Sequence, residues 1–401
     1  MNSIARRVLT INAGSSTLRF ALFENRDGAR SIFRGKVDRI DPSRSRWTVS
    51  FRETGDEEDR SIDGATQEST TGYLLDWLDS RARLSDIGIV AHRVVHGRLH
   101  PRPEWVTPPL LEELQSLIAL DPEHLPFAIA LIAAIQKRYP TLPQLACFDT
   151  TFHRDMPEVA KRLPIPRRYQ AMGIERYGFH GLSYSFLMKE LIRLGDPAAT
   201  SGRVILAHLG SGASLAAVRN GIGVDTSMGF TPASGIMMST RSGDLDPGLA
   251  QYLEKTQSLD SSQFVHMANH SSGLLGVSES SADMRELLSH EGTDVRASEA
   301  IAMFCYQVRK CIGAFAAALG GLDTLVFSGG IGENAPQVRE RVCRELGFLG
   351  VELNDVANAQ STPVISSDAS HVGVRVIGTN EELMLAQLAF AAHSRTEGLT
   401  P

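Results

Sequence analysis

The chain has 401 residues, more than one small core needs, so two domains are the expectation. Its net charge of −6 excludes the global basic field of a nucleic-acid or anionic-membrane binder, although a local arginine cluster can still hold a phosphate. Apolar residues at 42% and charged residues at 21% give a globular balance, and no apolar run is long enough to span a bilayer.

In chain order, MNSIARRVLT has arginines but no following apolar stretch with a cleavage site, which points to the cytoplasm. Val8–Ile11 reads as a buried strand. The small residues that follow it read as a hairpin turn from Asn12 to Thr17, and apolar residues resume at Leu18. Arg26–Ser69 is polar, with alternating patches, and reads as hairpins plus loops. Ile89–Ala91 is the next buried strand, followed by Arg93. Pro126–Arg138 reads as a helix with proline in its first turn. Leu145–Phe148 is a strand that ends at Asp149. Val204–Ala207 is a strand leading into HLGSGAS. Ser258–Ser281 is serine-rich and reads partly as loop. Ala297–Leu319 is a helix, Thr324–Phe327 a strand leading into GGIGEN, and Glu381–Ala392 a final helix before a short polar end. Strands alternating with long helices define an α/β protein, in which ligands gather beyond the carboxyl ends of the strands.

One echo links the two halves. VLTINAGSSTLRFALFEN from Val8 and VILAHLGSGASLAAVRN from Val204 each give strand, Gly-Ser turn, strand and asparagine turn. The echo suggests two domains on one template with a cleft between them, although any β-turn-β hairpin has a similar look.

Turns of glycine and hydroxyl residues offer backbone N–H groups without bulk, which suits a phosphate chain. Neither turn matches the P-loop or dinucleotide fingerprints. LVFSGGIGENAP adds a strand–glycine–helix turn able to lie against a nucleotide. Arg93 and Arg241 sit among small and apolar residues, where an unpaired guanidinium is costly, so each needs an anionic partner from the protein or from a ligand. CFDTTFH with Asp149, RYGFHGLS with His180 and IGTNEEL with Glu381 place polar groups after apolar runs. Singly each has a structural explanation. Together they read as a phosphoryl-transfer site, which depends on positioning, positive charge and a divalent metal. His92, His96 and His100 recur every four residues, but Val94–Val95 indicates strand or loop there, so the spacing does not argue for zinc. Cys147, Cys305, Cys311 and Cys343 form no CxxC pair and read as buried free thiols in a reducing compartment.

INAGSSTLRF, AHRVVHG, FDTTFH, RYGFHGLS, HLGSGAS, VDTSMGFTP, TRSGDLDPG, SADMREL, FSGGIGEN and TNEEL, in that order, resemble the acetate kinase family from about Val8 to about Leu383. The resemblance implies an α/β fold of duplicated ribonuclease H-like (actin-like ATPase) domains with a nucleotide cleft between them. It divides the chain into residues 1–152, with the C-terminal helix 383–401 packing back on them, and residues 153–382, which carry the adenosine site. It implies Mg²⁺-dependent (or Mn²⁺-dependent) reversible transfer of the ATP γ-phosphoryl group to acetate, directly and in line, giving acetyl phosphate and ADP. A homodimer with no nucleic-acid or membrane partner is also implied.

On this resemblance Asn12 and Glu381 hold the metal, and Asp149, His180 and Arg241 are catalytic. Arg93, Val95, His124, Phe179 and Pro232 bind the carboxylate substrate. Ser15, Arg19, His208, Leu209, Gly210, Ser211 and Gly212 contact ATP phosphates. Asp283, Met284, Arg285, Gly330, Ile331, Gly332, Glu333 and Asn334 cradle the adenosine end.

The sequence departs from the family pattern at Thr17 (serine), Arg19 (lysine), Ser211 (asparagine) and Ser239 (glycine). It also has Glu123 where the pattern places an acyl-pocket leucine. Glu123 leaves open a propionate, butyrate or other acyl acceptor. Two further readings remain: another enzyme of the fold with a different acceptor or a pyrophosphate donor, and a non-catalytic nucleotide sensor. The joint presence of Arg93, His180 and Arg241 weighs against the sensor.

Overall fold

Two mixed sheets organise the chain in the computed structural model. It describes residues 7–397 apart from 15–16, 27, 42–43, 52–53, 64–65, 82–86 and 99. The chain divides into two units, Met1–Thr151 with Asn380–Pro401, and Phe152–Thr379.

The first unit contains β1 (Arg7–Ala13), β2 (Thr17–Asn25), β3 (Ala29–Asp41), β4 (Arg44–Phe51), β5 (Glu57–Asp63), β6 (Ile89–Val94), β7 (Glu104–Trp105) and β8 (Gln144–Phe148). They lie in the order β5-β4-β3-β2-β1-β6-β8-β7. The second unit contains β9 (Arg203–Leu209), β10 (Ala213–Arg219), β11 (Ile222–Thr226), β12 (Thr324–Ser328) and β13 (Gly373–Val376), in the order β11-β10-β9-β12-β13. The run β3-β2-β1-β6-β8 has the same senses as β11-β10-β9-β12-β13: antiparallel twice, then parallel twice. The fold is therefore a duplicated ribonuclease H-like α/β template, and the echo between Val8 and Val204 marks its equivalent first hairpins.

That first hairpin turns more tightly than the sequence suggests. Asn12 and Ala13 remain in β1, opposite Arg19 and Leu18. The turn closes where Gly14 N–H donates to the Thr17 carbonyl at 2.7 Å. Backbone groups at Asn12 and Ala13 find partners across the ladder, so β1 extends to the residue before Gly14.

In the first unit the core side of the sheet gathers Phe20, Phe33, Trp47 and Trp77. Gly35 on β3 makes room for this: a β-carbon there would fall 2.1 Å from the Phe20 ring. The helix Leu125–Arg138 starts with proline in its first turn and buries Leu125, Phe127, Leu131, Ile132 and Ile135. Each large apolar side chain buried in this way contributes roughly 1.5–3 kcal/mol. The helix Glu381–Glu397 packs against β1, β2 and β6 of the same unit.

In the second unit the helix Val295–Leu319 packs on β9 and β10. Asp294 caps its start, and Gly320 ends it in the left-handed region at φ 71°. Ser258–Ser281 is more helical than its serine content suggests, with helices Ser261–His270 and Gly273–Ser278. A reciprocal capping box between Asp260 and Gln263 starts the first of these, so the polar residues initiate structure here rather than interrupt it. Cys147, Cys305 and Cys343 are buried free thiols, and Cys311 is half-buried. Burial pushes Cys305 up to about 11. Among the described residues no helix is long and apolar enough to cross a membrane.

Candidate active site

In the first unit, parallel pairing delivers three polar side chains to one end of the sheet. Ile11 lies beside His92, and Arg93 beside Cys147, so Asn12, Arg93 and Asp149 follow one another at the carboxyl ends of β1, β6 and β8. Arg93 Nε and Nη2 donate to Asp149 Oδ2 at 2.9 and 2.6 Å, and Nη1 donates to Asn12 Oδ1 at 3.1 Å. Asn12 Nδ2 donates to Glu381 Oε2 at 2.8 Å and to Glu382 Oε1 at 3.2 Å. The helix Glu381–Glu397 thus presents its first residues to the ends of the strands. Burial opposes the Arg93 charge, but Asp149, Glu381 and Glu382 outweigh it and raise its pKa above the ordinary arginine value.

Arg19 is exposed on β2, opposite Asn12. With Arg34, Lys36, Thr48, Ser50 and Glu382 it lines a cavity of about 220 Å³. Val95 is buried one residue beyond β6. His124 Nδ1 meets Asp121 Oδ1 at 2.7 Å, and Glu123 is half-buried in the turn before the helix Leu125–Arg138. His92 Nε2 meets Gln144 Oε1 at 2.7 Å, and burial lowers the pKa of this imidazole to about 4. Ser15 lies outside the described residues.

In the second unit, β9 and β12 run parallel with His208 beside Ser328, which brings two glycine turns together. A β-carbon on Gly210 would sit 3.9 Å from the Gly330 backbone nitrogen and 3.7 Å from His208 Nε2. Gly329, at φ 76°, would place a β-carbon 2.6 Å from the Leu209 carbonyl oxygen, so only glycine permits this approach. A β-carbon on Gly212 would lie 3.3 Å from His180 Nε2 and 3.6 Å from Arg241 Nη1. The missing side chain leaves the space that both groups face. His180 is left-handed at φ 59°, a strained backbone for a residue other than glycine.

Arg241 Nη1 donates to the Pro232 carbonyl at 3.0 Å and to Met238 Sδ at 3.6 Å. Its loop is pinned by Gly273, where a β-carbon would fall 2.2 Å from the Met238 carbonyl oxygen. Ser211 and Ser239, two of the departures from the family pattern, are neighbours: Ser239 N–H donates to the Ser211 carbonyl at 3.1 Å. Phe179 is buried beside His180 in sequence, and His153 Nε2 meets its carbonyl at 3.0 Å.

Gly330, Ile331 and Gly332 lie in the short helix Gly329–Asn334, within which Glu333 points inward. Its Oε1 accepts from Gly329 N–H at 2.9 Å and from Thr379 N–H at 3.2 Å. Asn334 Nδ2 donates to the Gly330 carbonyl at 2.9 Å. Asp283 caps the helix Met284–His290 and pairs with Arg285 at 2.5 Å. Arg285 is exposed, whereas Met284 is buried.

Sequence reasoning missed the groups behind the first ones. Asp121, Ser183 and Ser214 each meet a residue named above, and Tyr184 meets Ser214. Ser214 left a trace, as a hydroxyl between Ala213 and Leu215 in a strand otherwise apolar up to Arg219.

A family model described as the acetokinase family matches residues 7–387. An acetate kinase of Rhodopseudomonas palustris is 40% identical over 387 residues, covering 95% of this chain and 96% of the relative. A propionate kinase of Citrobacter koseri is 39% identical over 391 residues, covering 96% of both. The crystal structure of Porphyromonas gingivalis acetate kinase superposes with a TM-score of 0.86 at 34% identity, covering 96% of this chain and 99% of that one. Fold, site and relatives define a phosphotransferase with a short acyl carboxyl group as acceptor. The chain belongs to the acetokinase family, which implies ATP as co-substrate and a divalent metal.

Proposed function

We propose that the protein is an acetate kinase, transferring the ATP γ-phosphoryl group to acetate and releasing acetyl phosphate and ADP. The observation that carries this reading is the opening at Gly212, faced by both His180 Nε2 and Arg241 Nη1. A flat anion in flight between two oxygens needs donors of this kind.

A carboxylate is already nucleophilic near neutral pH, so no strong base is required. One acetate oxygen bonds to the γ-phosphorus in line, the bond to the β–γ bridging oxygen breaks, and that electron pair leaves on ADP. The main obstacle is repulsion between two anions. Arg93 binds the acetate carboxylate, with Val95, His124, Phe179 and Pro232 around the acyl group. His180 and Arg241 stabilise the transferring phosphoryl group, and Asp149 orients Arg93. His208, Leu209, Gly210, Ser211 and Gly212 receive the phosphate chain together with Arg19. Asp283, Met284, Arg285 and Gly330 to Asn334 receive adenosine.

Asn12 Oδ1 and the carboxylates of Glu381, Glu382 and Asp149 are hard oxygen donors. Among the described residues no cluster of three or more His, Cys, Asp or Glu is arranged as a metal cage. The oxygen donors fit Mg²⁺ (or Mn²⁺), which takes one or two protein ligands and completes its shell with water and substrate phosphates. Asn12 and Glu381 would hold the ion, which supplies charge neutralisation on the phosphates. The protein acts as a cytoplasmic homodimer on this reading.

The test is kcat/KM for acetate, propionate and butyrate with ATP, with acyl phosphate trapped as the hydroxamate. Acetate should rank first or level with propionate. A strong preference for butyrate would overturn the assignment. The relative named as a propionate kinase and the half-buried Glu123 support propionate as the second reading.

A further inference from the structure

The second unit holds two imidazoles in matching fashion. His180 and His208 lie ring to ring, with centroids 4.4 Å apart and planes at 30°. Each Nδ1 meets a serine hydroxyl, Ser214 at 2.8 Å from His180 and Ser183 at 2.9 Å from His208. Each Nε2 faces the Gly210–Gly212 turn. Behind Ser214 lies Tyr184, its Oη 2.5 Å from Ser214 Oγ. Both Ser214 and Tyr184 are 0% exposed, so bulk water does not compete for these bonds.

A neutral imidazole carries one proton. On Nε2 that proton can be donated to a phosphoryl oxygen. On Nδ1 it leaves a lone pair on Nε2, aimed at an anion. The serine hydroxyl has a single proton to give, and it can give it to Nδ1 when tyrosine donates to the serine oxygen. We propose that Tyr184 and Ser214 are positioning residues that hold His180 in its Nε2–H form. The bonds run from Tyr184 Oη–H to Ser214 Oγ, and from Ser214 Oγ–H to His180 Nδ1. His180 then donates to the phosphoryl group while uncharged, and its contribution does not require an imidazolium. The role given to His180 rests on the acyl-kinase reading; the tautomer lock does not.

The charged and titratable groups around His180 come from several elements. Arg241 Nη1 faces the same opening at Gly212, and His208 stacks on the ring. Tyr184 lies behind Ser214, and His153 meets the Tyr184 ring edge-on at 5.7 Å. Burial lowers the His153 pKa to about 4, which keeps it neutral at working pH.

The experiment uses the full chain with ¹⁵N-labelled histidine. Two-bond ¹H–¹⁵N correlation spectra identify the tautomer, with the His180 signals assigned by their loss in His180→Gln. At about pH 8, above the ordinary imidazole range, wild type should show Nε2–H. Ser214→Ala should shift His180 toward Nδ1–H, and Tyr184→Phe should do so in part. The wild-type kcat with acetate should vary little between about pH 6 and 8.5, whereas Ser214→Ala should lose about tenfold over that range as the imidazolium disappears. Tyr184→Phe should lose about threefold, and it serves as the readout if Ser214→Ala does not fold. Unchanged tautomer and profile in both variants would overturn the inference, even with wild-type acetate kinase activity intact. A wild-type protein that shows Nε2–H but makes no acyl phosphate, with the tautomer shifted in Ser214→Ala, would support the lock and reject the kinase reading.

Discussion

The two units build the ends of their parallel strands in different ways. The first unit buries its cation among carboxylates: Arg93 is bound to Asp149, with Glu381 and Glu382 close by through Asn12. The second unit uses glycine, backbone N–H groups and hydroxyls, and anchors Arg241 on a carbonyl oxygen and a thioether. Arg93 therefore contributes to the fold as well as the site, because its removal strands carboxylates that were buried against it. Arg241 Nη1 lies beside the opening at Gly212, and its removal should cost turnover more than stability.

Matched substitutions make that difference measurable. Arg241→Ala should lower kcat by roughly 10³-fold, the scale of a lost transition-state cation, while the melting temperature stays near wild type. Arg93→Ala should also abolish turnover, and in addition destabilise the first unit by roughly 3–5 kcal/mol in urea unfolding. Equal stability losses in the two variants would erase the proposed contrast.

Acid should separate the units as well. His92, His96 and His153 are buried with folded pKa values of about 4, burial being the leading cause in each. Their unfolded value is near 6.5, so as pH falls the unfolded chain binds protons first. The stability they contribute is complete above pH 6.5 and is lost as pH falls toward 4. Two of the three lie in the first unit, so hydrogen exchange at pH 5 should show that unit opening more readily. His92→Gln should recover about 2 kcal/mol of the loss between pH 7.5 and 5. An unchanged pH slope in that variant would remove His92 from the account.

Smaller effects test finer assignments. Glu381→Gln should raise the Mg²⁺ concentration for half-maximal activity by about tenfold, with the ATP KM at saturating metal nearly unchanged. Ser211→Asn should alter the ATP KM by no more than about twofold, within the range of an exposed substitution. A much larger gain in affinity would show that the hydroxyl at this turn is a functional handicap.

Strands and their ends were legible in the sequence because buried β runs stop abruptly at polar groups. Arg93, Asp149, His180 and Arg241 announced themselves as charge or imidazole among small and apolar neighbours. The partners of these residues were not legible. Asn12 and Glu381 are separated by 369 positions, and only the return of the final helix to β1 brings their side chains together. Ser214 is a single hydroxyl in a largely apolar strand and Ser183 is one of two serines in its helix, and nothing local shows which imidazole each will meet. The Asp260–Gln263 capping box was readable, but the surrounding serines made the segment look like a loop. Asn12, Ala13 and Thr17 stand in the strands rather than in a wide turn, because cross-strand pairing continues through Asn12 and Ala13, whereas Arg19 lies on the second strand as the sequence indicates.

The division of labour between the units is tested most directly by initial rates of hydroxamate-trapped acetyl phosphate over a matrix of acetate and ATP concentrations. Wild type would be compared with Arg93→Lys and Arg285→Ala. Arg93→Lys should raise the acetate KM by about tenfold or more and leave the ATP KM within about twofold, since lysine keeps the charge but loses the fork. Arg285→Ala should do the reverse. If Arg93→Lys weakened ATP as much as acetate, or if Arg285→Ala weakened acetate as much as ATP, the account would be contradicted.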